Sequence, residues 1–198
     1  MTDLVTGDDG LARCAWGVAP AVYRTYHDTE WGRRLTGDVA LFERMSLEAF
    51  QSGLSWLVIL RKREAFRAAF DGFRFDRIAE YDESDVERLL ADAGIVRNRA
   101  KITATVGNAR AVLGLPGSLS DLLWSYAPDS GRPRPADFSE VPAVTPESTA
   151  MAKRLKGLGF RFVGPTTAYA LMQATGMVDD HLAGCHVATT REPEGTPR

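Results

Sequence analysis

The 198-residue sequence is short of cysteine, of long apolar runs and of surplus charge. Two cysteines, Cys14 and Cys185, are too few for a disulfide framework, and a reducing cytoplasm keeps such thiols free. No run of about eighteen apolar residues occurs, which excludes a membrane-spanning helix. The opening MTDLVTGDDG is acidic and polar, where a signal peptide is basic and then apolar, so a cytoplasmic location is expected. Lys and Arg number 24 against 26 Asp and Glu, a formal charge of −2. That balance lacks the basic excess of a tight, non-specific nucleic-acid binder, although a local basic face can coexist with it. Strand signals are scarce and no internal repeat stands out.

What is present is helical periodicity, so the expected class is all-α. VALFERMSLEAFQSGL (39–54) sets Leu41, Met45 and Phe50 near one face, widened by Phe42 and Leu47. KREAFRAAFDGF places Phe66 and Phe70 four apart. DESDVERLLADAGI offers a start signal at Ser84 and a stop at Gly94. NRAKITATVGNARAVLGL repeats apolar residues at Ile102, Val106, Ala109 and Leu113, and SLSDLLWSY reads as a shorter helix. Residues 127–148 are rich in Pro and Ser and read as a surface connection. PESTAMAKRLKGLGF and GPTTAYALMQATGM are the last two helices, joined by a tight turn. One domain over 13–187 is expected, flanked by flexible ends at 1–12 and 188–198.

Three groups of residues suggest chemistry. YRTYHDTEWG (23–32) concentrates Tyr23, Tyr26, Trp31 and His27. Cys14 and His27 near one end, with His181 and Cys185 in DDHLAGCH near the other, are the right residue types for a closed tetrahedral zinc shell. From spacing alone, two unpaired thiols and two ordinary histidines are the favoured reading, and His186 is a possible substitute ligand. LGFRFVGPTTAYALM places a glycine turn before Pro165 at the start of a helix, a seat for an anion, with Lys153, Arg154, Lys156 and Arg161 upstream. An ordinary helical hairpin with a solvated basic face fits as well.

In order along the chain, RCAWG, YRTYHDTEWG, LFERMSLEAFQSGLSWLVILRKREAFRAAF, DAGIVRNRAKITATVGNARA, LWSY, LKGLGFRFVGPTTAYALMQATGMVDDH and the closing GC resemble the DNA-3-methyladenine glycosylase I family. The resemblance runs from about Arg13 to Cys185. It implies a helix–hairpin–helix DNA glycosylase fold and one structural zinc held by Cys14, His27, His181 and Cys185. It implies duplex DNA carrying 3-methyladenine as substrate, excision of that base, and action as a monomer. Glu48 becomes the base-reading carboxylate and Trp56 a stacking wall, with Tyr23, Tyr26 and Trp31 as further ring faces. Arg161, Val163, Gly164 and Thr166 become the phosphate-binding hairpin.

N3-methylated adenine is cationic and flat, a good leaving group that aromatic faces and a carboxylate hold. Taken without the family, Glu48 reads first as an exposed helical glutamate, and each aromatic first as core. The sequence reading finds no lysine or arginine close to Glu48, so its charge awaits a donor from outside. Thr166 stands where strand-cutting relatives carry a lysine nucleophile, so no lyase activity is expected. Asp179 in VDDH is either an electrostatic stabiliser of the sugar cation, hence catalytic, or a helix-start cap. Phe162 replaces the first glycine of the usual hairpin. A non-catalytic, zinc-stabilised binder of DNA lesions or DNA structures is the rival reading. A zinc hydrolase is a third, disfavoured because four protein ligands leave no open position on the metal.

Overall fold

The computed structural model describes residues 3–129 and 132–187. Its helices are α1 (Ala21–Thr29), α2 (Asp38–Gln51), α3 (Trp56–Ala69), α4 (Phe75–Ile78), α5 (Glu83–Ala91), α6 (Arg99–Leu113), α7 (Leu119–Trp124), α8 (Pro146–Gly157) and α9 (Pro165–Ala174). Two three-residue strands, β1 (Leu4–Thr6) and β2 (Ala12–Cys14), pair antiparallel with Leu4 opposite Cys14 and Thr6 opposite Ala12. The all-α expectation therefore holds for the bulk of the chain and is corrected at its start. Strand β1 falls within the expected flexible stretch 1–12; three residues are too few to show a period-2 pattern. The expected tail 188–198 lies outside the described residues.

The described residues divide into two compact units, each drawn from separated stretches: Thr36–Tyr126 with Val144–Leu171, and Met1–Leu35 with Ala127–Ala143 and from Met172 onward. The first unit is helical. Its apolar stripe on α2 meets the four-residue spacing of Phe66 and Phe70 in a chain of rings. Phe50 and Phe66 lie 4.7 Å apart between centroids, Phe66 and Phe70 6.2 Å, and Phe70 and Phe73 5.7 Å. The starts of α5 to α8 follow side-chain oxygens that accept orphan N–H groups. Asn98 starts α6, Ser118 α7, and Thr145 α8 with Pro146 as its first residue. The start of α5 is Asp82, not Ser84: the Asp82 carboxylate accepts from the Ser84 and Asp85 amides and the Ser84 hydroxyl. A carboxylate that takes three donors outcompetes a hydroxyl for the capping position.

The end of α2 is held from a distance. Lys101 on α6 is buried, and its ammonium donates to the carbonyls of Phe50 at 2.9 Å and Ser52 at 2.6 Å. A cation at a helix C-terminus opposes the negative end of the dipole and satisfies carbonyls that have no partner within the helix. It thereby fixes the turn between α2 and α3.

The second unit joins both ends of the described chain around the β1–β2 hairpin and α1. His186 N–H donates to Ala12 O, Ala183 N–H to Pro135 O, and Phe138 N–H to the Asp3 carboxylate. Residues 127–143 are thus more than a surface connection: Arg134 bonds Asp179 and the carbonyl of Val187, and Arg132 pairs with buried Asp180.

Replacing Lys101 by Met leaves two carbonyls at the end of α2 without their donor. Lys101→Met is expected to lower stability by about 2 kcal/mol, read from the urea midpoint at an unchanged m-value.

Candidate active site and metal centre

In the helical unit the site begins with the helix period. Glu48 sits on α2 among apolar residues that must face the core, so its carboxyl is carried inward with them. It is 5% exposed. Burial pushes its pKa up to about 7, with the positive charge of Arg44 pulling the other way. Arg44 is one helical turn earlier, on the same face. This corrects the reading that no cation lies close to Glu48. The arginine four residues before it is itself only 7% exposed, and its guanidinium lies 5.6 Å from the centre of the Trp56 ring. Trp56 is the first residue of α3, half-buried, after an exposed turn over 52–55 whose Leu54 is 41% exposed. Glu48, Arg44 and Trp56 therefore form one group.

The hairpin lies partly in the same unit. Arg161 and Thr166 are exposed, Gly164 is half-buried, and Val163 is buried, so Val163 has only its backbone to offer a ligand. Phe162 is 37% exposed and takes φ +56°, an unusual backbone for an aromatic residue. The turn is clamped by a residue that the sequence reading missed. Buried Asn108 on α6 donates its amide to Arg161 O at 3.1 Å and accepts Arg161 N–H at 2.8 Å. No local pattern marks Asn108, because its partner is 53 residues away.

In the second unit the aromatic stretch assembles around Trp16. Its ring lies 5.8 Å from Tyr23, 6.3 Å from Tyr26, 5.1 Å from His27 and 5.0 Å from Trp31. Tyr26 is buried, whereas Tyr23 and Trp31 keep part of their faces exposed. Trp16 was missed as a site residue, although RCAWG lies in the resemblance; a single tryptophan carries no spacing signal.

The ends of the chain meet at the thiols. Ligand atoms of Cys14, His27 and Cys185 lie within 4.8 Å of one another, packed among Leu182, Val187, Leu4 and Phe138. His181 does not join that cluster of three, but its ring centroid is 5.0 Å from that of His27 and 4.6 Å from that of Trp31. Both imidazoles are approached closely by backbone. A Cβ on Gly17 would stand 2.4 Å from the His27 ring, and one on Gly32 2.7 Å from that of His181. The segment 181–185 is a compact turn, closed by Cys185 N–H donating to Leu182 O.

Each imidazole is oriented by a carboxylate. His27 Nδ1 lies 2.7 Å from Asp28 Oδ1, and His181 Nδ1 lies 2.9 Å from Asp179 Oδ1. Ionised carboxylates only accept, so each takes an Nδ1–H, and the ring in its neutral form carries its lone pair on Nε2, where a metal would bind. His181 Nε2 is buried with no hydrogen-bond partner among the described residues, and His27 Nε2 is 3.6 Å from Cys185 Sγ. Cys185 and burial push the Cys14 thiol up, and Cys14 and His27 draw the Cys185 thiol down. Two buried sulfurs beside an orphaned imidazole nitrogen are a donor set that fits a soft divalent cation. His186 turns instead to Asp28, at 3.1 Å.

Asp179 is fully engaged. It accepts from Arg134 Nε at 2.9 Å and from the His181 backbone and ring. Burial raises its pKa, but the bonds from His181 and Arg134 outweigh it and hold the group at about 2. It is not a helix-start cap, since α9 ends at Ala174 and no helix follows among the described residues.

Comparison with known proteins places this arrangement. The sequence model of the methyladenine glycosylase family matches residues 16–188. DNA-3-methyladenine glycosylase 1 of Escherichia coli K12 is 45% identical over 88% of this chain and 96% of its own length. The DNA-3-methyladenine glycosylase of Haemophilus influenzae is 40% identical over 90% and 98%. A crystal structure of 3-methyladenine DNA glycosylase I superposes with a TM-score of 0.85 at 46% identity, covering 88% of this chain and 98% of that one. A variant of 3-methyladenine DNA glycosylase I in complex with 3-methyladenine superposes with a TM-score of 0.84 at 36% identity, over 88% and 96%. By sequence and by fold, the chain belongs to the methyladenine glycosylase family.

Proposed function

We propose that this chain is a monofunctional DNA-3-methyladenine glycosylase. It extrudes 3-methyladenine from duplex DNA, holds it by ring stacking and one carboxylate, and releases it to water in base excision repair. The observation that carries the reading is Glu48, a buried carboxyl poised near neutrality beside an aromatic wall. In its ionised form it accepts a hydrogen bond from the exocyclic amine and opposes the charge of the methylated ring. The C1′–N9 bond breaks with its electron pair going to the cationic base, which leaves neutral. Water adds to C1′ and loses a proton to solvent. With so good a leaving group no strong general acid is needed, in keeping with an Asp179 already committed to Arg134 and His181. The half-buried Trp56 is the type of ring face a flat cation prefers. Leu54, apolar and exposed on its turn, suits the gap that an extruded base leaves in the stack.

Phosphates fall to the helix–hairpin–helix turn through Arg161, the backbone of Val163 and Gly164, and Thr166 at the start of α9. Thr166 offers no amine, so no strand cleavage accompanies base release. The protein acts as a cytoplasmic monomer. One structural zinc is held by Cys14, His27, Cys185 and His181. It supplies no chemistry at the base and ties the two ends of the chain together. What supports the metal is the donor set and its two orienting carboxylates. The rival readings, a non-catalytic lesion binder and a zinc hydrolase, make no use of a carboxyl tuned to neutrality.

Wild-type protein is expected to free 3-methyladenine from methylated duplex DNA, and Glu48→Gln to do so about tenfold to a hundredfold more slowly in single turnover. Only the ionised form binds the cation, so the wild-type rate rises as pH increases through about 7, whereas Glu48→Gln is flat there. A folded wild type that releases no 3-methyladenine rejects the assignment.

The same burial has a consequence for stability. The folded pKa of Glu48 exceeds its unfolded value, so the folded state binds the extra proton and stability falls as pH rises from about 4.5 to about 7. Glu48→Gln removes that cost. Denaturation at pH 8 is expected to find the variant more stable by about 3 kcal/mol at most, with the difference closing at pH 4.

Elemental analysis is expected to return one zinc per chain, and none for Cys14→Ser. Stripping the ion with a chelator should lower Tm by about 10 °C, and added zinc should restore it.

A further inference from the structure

We infer that Arg44 is a positioning residue of base recognition: from one turn of α2 it supports both the carboxylate of Glu48 and the ring of Trp56. This rests on the glycosylase reading above and assigns a further residue to the same site.

The geometry carries the inference. Arg44 and Glu48 are four apart on a single helix, so their side chains leave the same face with Cβ atoms about 6 Å apart. Arg44 is 7% exposed, which is rare for an arginine and demands compensation for lost hydration. Its planar guanidinium over the Trp56 ring provides part of it, since that group is weakly hydrated and stacks on aromatic faces. The carboxyl of Glu48 provides charge. One side chain thus addresses both the group that reads the base and the wall on which it stacks.

Several other charged groups on α2 and on the elements packed against it have different partners. On α3, Arg67 bonds Glu43 and Glu64, and Lys62 donates to the carbonyls of Ala93 and Gly94. Lys101 of α6 is committed to Phe50 and Ser52. Asp38 accepts from Ser120 at the start of α7, where Asp121 lies in the first turn. Asp71, before α4, accepts from Tyr81. The charge acting on Glu48 is that of Arg44.

The chemical consequence is two-sided. Arg44 keeps Glu48 ionisable near neutral pH, when burial alone would hold it protonated and unable to accept from a cationic base. It also adds a like charge near that base, which lowers affinity once Glu48 is fully ionised. An arginine here therefore trades maximal affinity for a carboxylate ready at working pH.

The test compares wild type with Arg44→Met, Arg44→Gln and Arg44→Lys. Glu48 is followed by carboxyl-carbon NMR, its signal identified by loss in Glu48→Gln, and single-turnover release of 3-methyladenine from methylated duplex DNA is measured from pH 5 to 9. In the neutral variants the Glu48 midpoint and the acid limb of the release profile are expected to move up together by about one pH unit. Release then slows about tenfold at pH 6 and equals or exceeds wild type at pH 9. Arg44→Lys should keep the acid limb in place, because it keeps the charge.

A folded neutral variant with an unmoved Glu48 midpoint overturns the inference. Loss of fold in both neutral variants overturns it too, because Arg44 is then a core residue. Wild type that releases no base defeats the glycosylase reading instead, and the NMR titration still decides what Arg44 does.

Discussion

A carboxyl group taken out of water beside apolar residues has to share its site with a cation or give up its charge. Glu48 is in that position, and the helical unit is arranged around it. Helix α2 must bury its apolar stripe, and the period that carries Leu41, Met45 and Phe50 inward carries Glu48 with them. The end of that helix is fixed by the ammonium of Lys101, so the turn leading to Trp56 has a defined exit. The buried guanidinium of Arg44 supplies part of the missing compensation. A methylated purine, already positive before it is released, is suited to supply the rest.

Much of this was legible in the sequence, and the failures have physical causes. The helices came from period and capping chemistry, and Phe66 with Phe70 stack as their spacing required. The start of α5 was misplaced by two residues because a serine was preferred to an aspartate that takes three donors. Strand β1 was missed because its stability lies in pairing with β2 and not in its own three residues. Arg44 was overlooked because neighbours were sought along the sequence. On a helix the relevant neighbour of residue 48 is residue 44, one turn away. Asn108 and Trp16 act on groups whose nearness only the fold creates, the first across 53 residues.

The cysteines and histidines raise the opposite problem, since their residue types were legible before their geometry was. The sequence could offer Cys14, His27, His181 and Cys185 only as a set. The structure adds that each histidine has its own carboxylate and each carboxylate its own arginine. His27 bonds Asp28, which two groups of Arg13 grip at 2.8 and 3.0 Å. His181 bonds Asp179, gripped by Arg134 at 2.9 Å. Arg13 is 2% exposed, so its pairing with Asp28 and Asp9 is an obligation of folding.

This doubling has an electrostatic logic. An ion buried among Leu182, Val187 and Leu4 must belong to a group with little net charge, or the desolvation cost exceeds what coordination returns. Two thiolates balance a divalent cation, and two neutral imidazoles add nothing. The carboxylates that orient those imidazoles would bring two further negative charges into the same region. Arg134 offsets one of them, and Arg13, shared with the more exposed Asp9, offsets part of the other. The arginines therefore permit the carboxylates, the carboxylates fix the tautomers, and the tautomers present Nε2 lone pairs inward. Losing either arginine would leave a carboxylate uncompensated beside the buried thiols, so the two lie within the same cooperative structure as the cysteines and histidines.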